Sequence, residues 1–180
     1  MWNVVFNKDN LTENDVTKRV KKARAFIVDT EDNVWMVKVN GVYMLPGGCV
    51  EQTDPNPCGT VVREVREELG IDLKVKKLFP MVKIDNYDKD SRVGDEAKLC
   101  NKKTSTIIYY SNNDDKPNEL KRKLTMQEKN MNMTIEKVPL KDFKSRMMMP
   151  GRLSFYKKYF MKENLAALKA YYKETNRKEL

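Results

Sequence analysis

The sequence predicts a mixed α/β fold with a helical element at its C-terminal end. Three observations carry this. Short apolar, β-branched runs alternate with turn residues through the first half. One helix-length segment is closed by a glycine. The last segment repeats apolar residues at helical spacing. With 180 residues, 40% hydrophobic and 34% charged, the chain has enough apolar material for a core and suits a single domain over 1–180. The core is expected over about 20–147, with 148–180 as a C-terminal helical addition.

Val20 to Asp29 reads as a strand around Ala25-Phe26-Ile27-Val28, and Glu31-Asp32-Asn33 as a turn. Val34 to Val39 is a second strand, and Asn40-Gly41 a two-residue hairpin signal that returns through Val42 to Leu45. Pro46-Gly47-Gly48 is expected to break regular structure. Cys58 to Leu69 reads as a helix stopped by Gly70. Ile71 to Ile84 looks like a strand pair or one long bent strand, and Asn86 to Asn101 like a polar loop. Thr104 to Tyr110 is the clearest strand. Residues 119–133 are ambiguous, Met133 to Val138 is a short strand and Leu140 to Met147 a small helix. Beyond Pro150-Gly151, apolar Leu153, Tyr156, Phe160, Leu165, Leu168 and Tyr172 predict an amphipathic helix packed on the domain.

Composition narrows the chemistry. There is no histidine, so Ser-His and Cys-His mechanisms are excluded and acid–base work falls to Asp, Glu, Lys, Tyr or metal-bound water. Cys49, Cys58 and Cys100 form no CxxC pair, which argues against zinc and fits a reducing compartment. No apolar run reaches the roughly 20 residues of a membrane span, and Met1 to Asn10 lacks the basic start and apolar stretch of a signal peptide. The expectation is a cytoplasmic protein with no membrane partner. The net charge of +9 resides entirely in residues 115–180; residues 1–114 are balanced. A field of that sign attracts phosphorylated small molecules or nucleic acid.

The informative stretch is Gly48 to Ile71. On a helix turning about 100° per residue, Glu64, Glu67 and Glu68 share one sector of about 100°, beside an apolar face of Val62, Val65 and Leu69. Like charges at this spacing repel. Arg63 and Arg66 offset part of that repulsion, and a hard divalent ion such as Mg²⁺ or Mn²⁺ would offset more. A solvated acidic face laced with salt bridges is the other reading of the same pattern.

Arg63-Glu64-Val65-Arg66-Glu67-Glu68-Leu69-Gly70-Ile71 resembles the second half of the Nudix box, the signature of the Nudix hydrolases, at every position. From average residue usage a chance match is on the order of 10⁻⁷ per window. Leu45 to Glu51 is similar to the usual lead-in. Two departures stand out: Asp54 replaces the first Glu of the box, and eight residues rather than seven separate it from Arg63.

The resemblance implies a Nudix-type α/β/α sandwich with a mixed central sheet, and cleavage of a nucleoside diphosphate linked to another moiety. It implies Mg²⁺ or Mn²⁺ held by Glu64, Glu67, Glu68 and the Gly48 carbonyl, with Arg63 orienting the carboxylates. Glu67, or a carboxylate outside the box, would take the proton from water; Asp95, Glu96, Glu128 and Glu136 are the outside candidates. Tyr87 is a candidate substrate-binding residue, and Trp35, Tyr43, Tyr109 and Tyr110 are further aromatics that could stack a base. The implied partner is a small nucleotide. An RNA 5′ end fits the basic last third, and family members often form homodimers. The alternative function is a Nudix-fold nucleotide- or RNA-binding regulatory module without turnover.

Overall fold

In the computed structural model, residues 1–92, 99–148 and 155–177 are described, the side chains of 91, 92, 155 and 156 excepted. The chain runs β1 (Trp2–Phe6), β2 (Lys18–Val28), β3 (Asn33–Val39), β4 (Val42–Met44), β5 (Gly47–Cys49), α1 (Pro57–Leu69), β6 (Phe79–Arg92), β7 (Leu99–Asn112), α2 (Met126–Asn130), β8 (Thr134–Pro139), α3 (Leu140–Met147) and α4 (Phe155–Glu174). The strands form one mixed sheet in the order β1-β6-β7-β2-β3-β4, with β5 also on β2 and β8 also on β3. β1 lies parallel to β6 and β2 parallel to β7, whereas β6 and β7 are antiparallel.

The period-two alternation of β2 splits its side chains between two cores. Ala23, Ala25 and Ile27 face α1 and pack with Val61, Val65, Leu69 and Tyr109. Phe26 and Val28 face α3 and α4 and pack with Ile84, Ile108, Phe143, Leu168 and Tyr171. Helices on both sides of a mixed sheet make the expected α/β/α sandwich. Phe26 is fully buried, its ring 5.5 Å from that of Phe143 and 5.2 Å from that of Tyr171.

Three expectations are corrected. Asn86 to Asn101 is not one loop: β6 runs on to Arg92 and β7 begins at Leu99. The pattern was polar because these strand ends project past the core and are held by cross-strand pairs such as Tyr87 with Lys103 and Asp88 with Lys102. Gly47-Gly48 does not end regular structure but enters β5, pairing with Arg24 and Ala23 of β2. Ile71 to Leu78 is irregular apart from a 3₁₀ turn at Val75–Lys77, and the strand starts only at Phe79. β1 carried too short an apolar pattern to be read. The C-terminal helix is present as α4; Leu153 lies outside the described residues, as does the Tyr156 side chain, while Phe160, Leu168 and Tyr172 are buried as expected. None of the helices among the described residues is long and apolar enough to cross a membrane.

Phe26→Ala is expected to lower unfolding free energy by about 3–5 kcal/mol, the cost of a large cavity in an aromatic cluster. A urea melt followed by tryptophan fluorescence measures it.

Candidate functional site

α1 is built to begin and end sharply. Asn56 is its N-cap, its side-chain oxygen accepting from the Gly59 N–H at 3.0 Å, and Pro57 occupies the first turn, where no N–H is needed. Gly70 stops it in the left-handed region at φ 69°. The last carbonyls are not left to solvent: the Asn118 N–H donates to Leu69 O and the Lys123 N–H to Glu67 O, both at 2.9 Å. The segment leading to α2 is thereby fastened to the end of α1.

Arg63 is the hub of the acidic side of this helix. Its Nε and Nη2 donate to the two oxygens of Asp54, each at 3.0 Å, and its Nη1 donates to Glu64 at 3.0 Å and to Glu67 at 3.1 Å. Nη2 also reaches the Cys49 carbonyl at 3.3 Å. The departure at Asp54 is thus accommodated. The longer spacer brings a shorter acid into a two-pronged pair with Arg63, and Asp54 further accepts from the Thr60 hydroxyl and the Glu51 N–H. Arg63 first, then the Glu51 N–H and the Thr60 hydroxyl, hold the Asp54 carboxyl far below its usual range against the opposing pull of desolvation. Asp54 in turn raises the Arg63 pKa.

Glu68 turns away from this hub. It is 4% exposed and accepts from the Gly47 N–H at 2.8 Å. Desolvation pushes its pKa up to about 8; repulsion from Glu64 and Glu128 adds to this, while the Gly47 N–H and Arg24 oppose it. Glu64 is also raised, chiefly by burial, with Glu67 and Glu128 contributing and Arg63 opposing. Two glycines make the packing achievable. A Cβ at Gly47, which has φ 139°, would lie 2.3 Å from the Ala23 carbonyl oxygen, and one at Gly48 would lie 2.2 Å from Glu64 Oε1. Only glycine lets the β5 backbone meet β2 on one side and the α1 carboxylates on the other.

Glu64, Glu67, Glu68 and Gly48 are therefore neighbours. As the side chains stand, no three of the described Asp, Glu or Cys residues converge on a single point, and Arg63 Nη1 bridges Glu64 and Glu67. The donor set still suits a hard divalent cation. It is all oxygen, it includes a backbone position pressed against Glu64, and its buried acids repel one another with only part of their charge offset.

The other candidates divide. Glu128 sits in the first turn of α2, accepting from the Thr125 N–H and hydroxyl at 2.7 and 2.8 Å, and is near enough to Glu64 and Glu68 to raise both. Glu136 on β8 is paired with Lys38 at 3.8 Å. Asp95 and Glu96 lie outside the described residues. Tyr87 donates its hydroxyl to Glu13 at 2.5 Å beneath the Lys103 ammonium, and it borders a cleft of about 690 Å³ between β1, β6 and the start of α4. Tyr43 and Tyr109 are buried in the two cores, and Tyr110 packs on Tyr171. Trp35 is half-buried under Lys137.

The sequence reading missed the cleft and Arg24. The cleft is lined by Phe6, Lys8, Asn86, Asp88, Lys158, Tyr159 and Lys162 among others, residues brought together by the parallel pairing of β1 with β6 and the packing of α4 on β6. Lys22, which pairs with Cys49 across β2 and β5, has its ammonium 5.8 Å from the ring centre of Tyr159, one of the lining residues.

The NUDIX domain family matches residues 18–159. The chain belongs to the Nudix family, and with that fold and an intact Arg-Glu-x-x-Glu-Glu run it is a Nudix hydrolase, of the class acting on phosphorus-containing anhydrides. Solved structures show the same fold at low identity. The NUDIX domain of Shewanella oneidensis NrtR, solved with ADP ribose, is 16% identical with a TM-score of 0.61, over 92% of this chain and 94% of that one. A C. elegans Ap4A hydrolase is 13% identical with a TM-score of 0.52, over 87% and 98%. The E. coli ORF135 protein is 15% identical with a TM-score of 0.52, over 86% and 93%. No curated protein sequence matches the chain.

Two outcomes are expected. Asp54→Asn weakens the pair with Arg63 and lowers unfolding free energy by about 1–3 kcal/mol, read from urea melts at pH 7. Glu68 gives an unusual pH dependence. Its unfolded carboxyl ionises near 4.5 whereas the native one holds its proton to about 8. Between these values the unfolded chain binds fewer protons, so metal-free stability falls as pH rises. Melts in EDTA at pH 5 and pH 8 should show the fall, and Glu68→Gln should flatten it. Asp54 acts only at the acid end, where its stabilisation is lost on protonation.

Proposed function

We propose that this protein is a metal-dependent pyrophosphohydrolase that cleaves a nucleoside diphosphate linked to another moiety, and that residues 1–180 form a single Nudix domain. The observation that carries the reading is the set of acids on α1 grouped about Arg63 and packed against Gly48. Glu64, Glu67, Glu68 and the Gly48 carbonyl would hold Mg²⁺ or Mn²⁺. When bound, the cation neutralises the pyrophosphate and acidifies the attacking water.

The chain's own residues supply the rest. Arg63, fixed from behind by Asp54, keeps Glu64 and Glu67 oriented. Glu67, with 36% of its side chain exposed against 12% for Glu64, is the member of the set open to water and takes the proton. Glu128 supplies a further negative charge from α2 and is the outside carboxylate that stands nearest in effect. The cleft beside Tyr159 receives the remainder of the substrate, and Lys8, Lys158 and Lys162 favour an anionic one. ADP-ribose-like compounds, dinucleoside polyphosphates and the 5′ end of a triphosphorylated RNA are the anionic substrates of this class to compare. The pairing of Asp54 with Arg63, which keeps the altered first half of the box joined to its arginine, supports turnover over the alternative of a nucleotide- or RNA-binding regulatory module.

The test is turnover of nucleoside triphosphates, ADP-ribose, dinucleoside polyphosphates and 5′-triphosphorylated RNA with Mg²⁺ or Mn²⁺ in ¹⁸O-labelled water. Hydrolysis of at least one substrate is expected, with Glu67→Gln lowering kcat by about 10²–10⁴-fold and Glu128→Gln by less. Tight binding without product would instead establish the regulatory module.

A further inference from the structure

Arg24 is a charged residue in an apolar place. It lies on the α4-facing side of β2, beside Phe26 and across from Ile108, and is 5% exposed. Its Nη1 donates to two backbone carbonyls of the segment entering the box, Leu45 O at 2.6 Å and Gly47 O at 3.1 Å. Its Nε faces Glu163 of α4 at 3.4 Å, and its guanidinium stacks on the Phe160 ring at 5.1 Å. Glu163 is fully buried, its other oxygen accepting from the Thr106 hydroxyl at 2.8 Å. Well-packed apolar side chains are often at least as stabilising as a buried ion pair, so its presence points to a conformation it specifies.

That conformation is the peptide at Gly47. Arg24 binds the Gly47 carbonyl while the Gly47 N–H binds Glu68, so the guanidinium and the carboxylate grip opposite faces of one residue. Gly48 follows directly. We infer that Arg24 and Glu163 are positioning residues: through the Gly47 peptide they aim the Gly48 carbonyl and Glu68, and so make α4 a determinant of divalent-cation affinity. This rests on the proposed role of Gly48 and Glu68 as metal ligands, and it extends the site to Glu163, which lies beyond the residues matching the family.

The experiment compares the full chain with Glu163→Gln, which keeps the shape and the Thr106 bond but removes the charge, and with Arg24→Lys, which keeps the charge but loses the Nε donor facing Glu163 and the planar group over Phe160. Phe143→Leu, in the same core layer but away from Arg24, controls for general destabilisation. Mn²⁺ binding is measured by calorimetry, and amide exchange at Gly47 by NMR in the metal-free protein. Both Arg24 and Glu163 variants are expected to weaken Mn²⁺ binding by about tenfold, the usual effect of losing support behind a metal ligand, and to speed Gly47 exchange beyond the change seen in Phe143→Leu. Unchanged affinity and exchange, or changes matched by Phe143→Leu, overturn the inference, as does failure of both variants to fold. If the parent protein binds no Mn²⁺, the metal-site reading fails, and Gly47 exchange alone decides whether Arg24 and Glu163 set this peptide.

Discussion

The structure depends on how closely a backbone can approach its neighbours at Gly47 and Gly48. On one side the β5 strand is in ladder contact with β2, and on the other it meets the carboxylates of α1 with no side chain between. A Cβ at Gly47 would push β5 away from the β2 backbone, and one at Gly48 would displace the Glu64 carboxylate. Steric absence, rather than a strong bond, is what lets a helix from one face of the sandwich touch a loop governed from the other face.

Charge then decides which contacts survive. Four acids, Asp54, Glu51, Glu64 and Glu67, surround Arg63, and a single guanidinium cannot neutralise them all. Asp54 takes the geometrically best share, through two parallel bonds, and so anchors Arg63 at the edge of the group. Glu68 is left to a single backbone N–H in a dry environment. The site is therefore under electrostatic tension that hydrogen bonds within the chain only partly relieve, the condition in which an added cation gains most.

Much of this was legible in the sequence. The Asn40-Gly41 turn, the helix from Cys58 to its stop at Gly70 and the grouping of Glu64, Glu67 and Glu68 all follow from local rules that act within a few residues. The extended ends of β6 and β7 were not, because Tyr87, Asp88, Lys102 and Lys103 are polar and become strand residues only by pairing with each other. Gly47-Gly48 carried the signature of a break, and its role as a strand depends on Ala23 and Arg24, more than twenty residues earlier. Arg24 itself looked like one more basic residue in a mixed run; its burial is set by Phe160 and Glu163 of a helix near the other end of the chain. Periodicity describes one element at a time, and these features are relations between elements.

The fastening of α1 to the segment after Asn118 is made by main-chain groups, Asn118 N–H to Leu69 O and Lys123 N–H to Glu67 O. Side-chain identity at 118 and 123 is irrelevant to those two bonds, so every amino acid except proline can make them. Substitution at 123 thus alters side-chain charge near the end of α1 while that main-chain bond stays, whereas at 118 it also removes the side-chain oxygen that accepts from the Leu120 N–H.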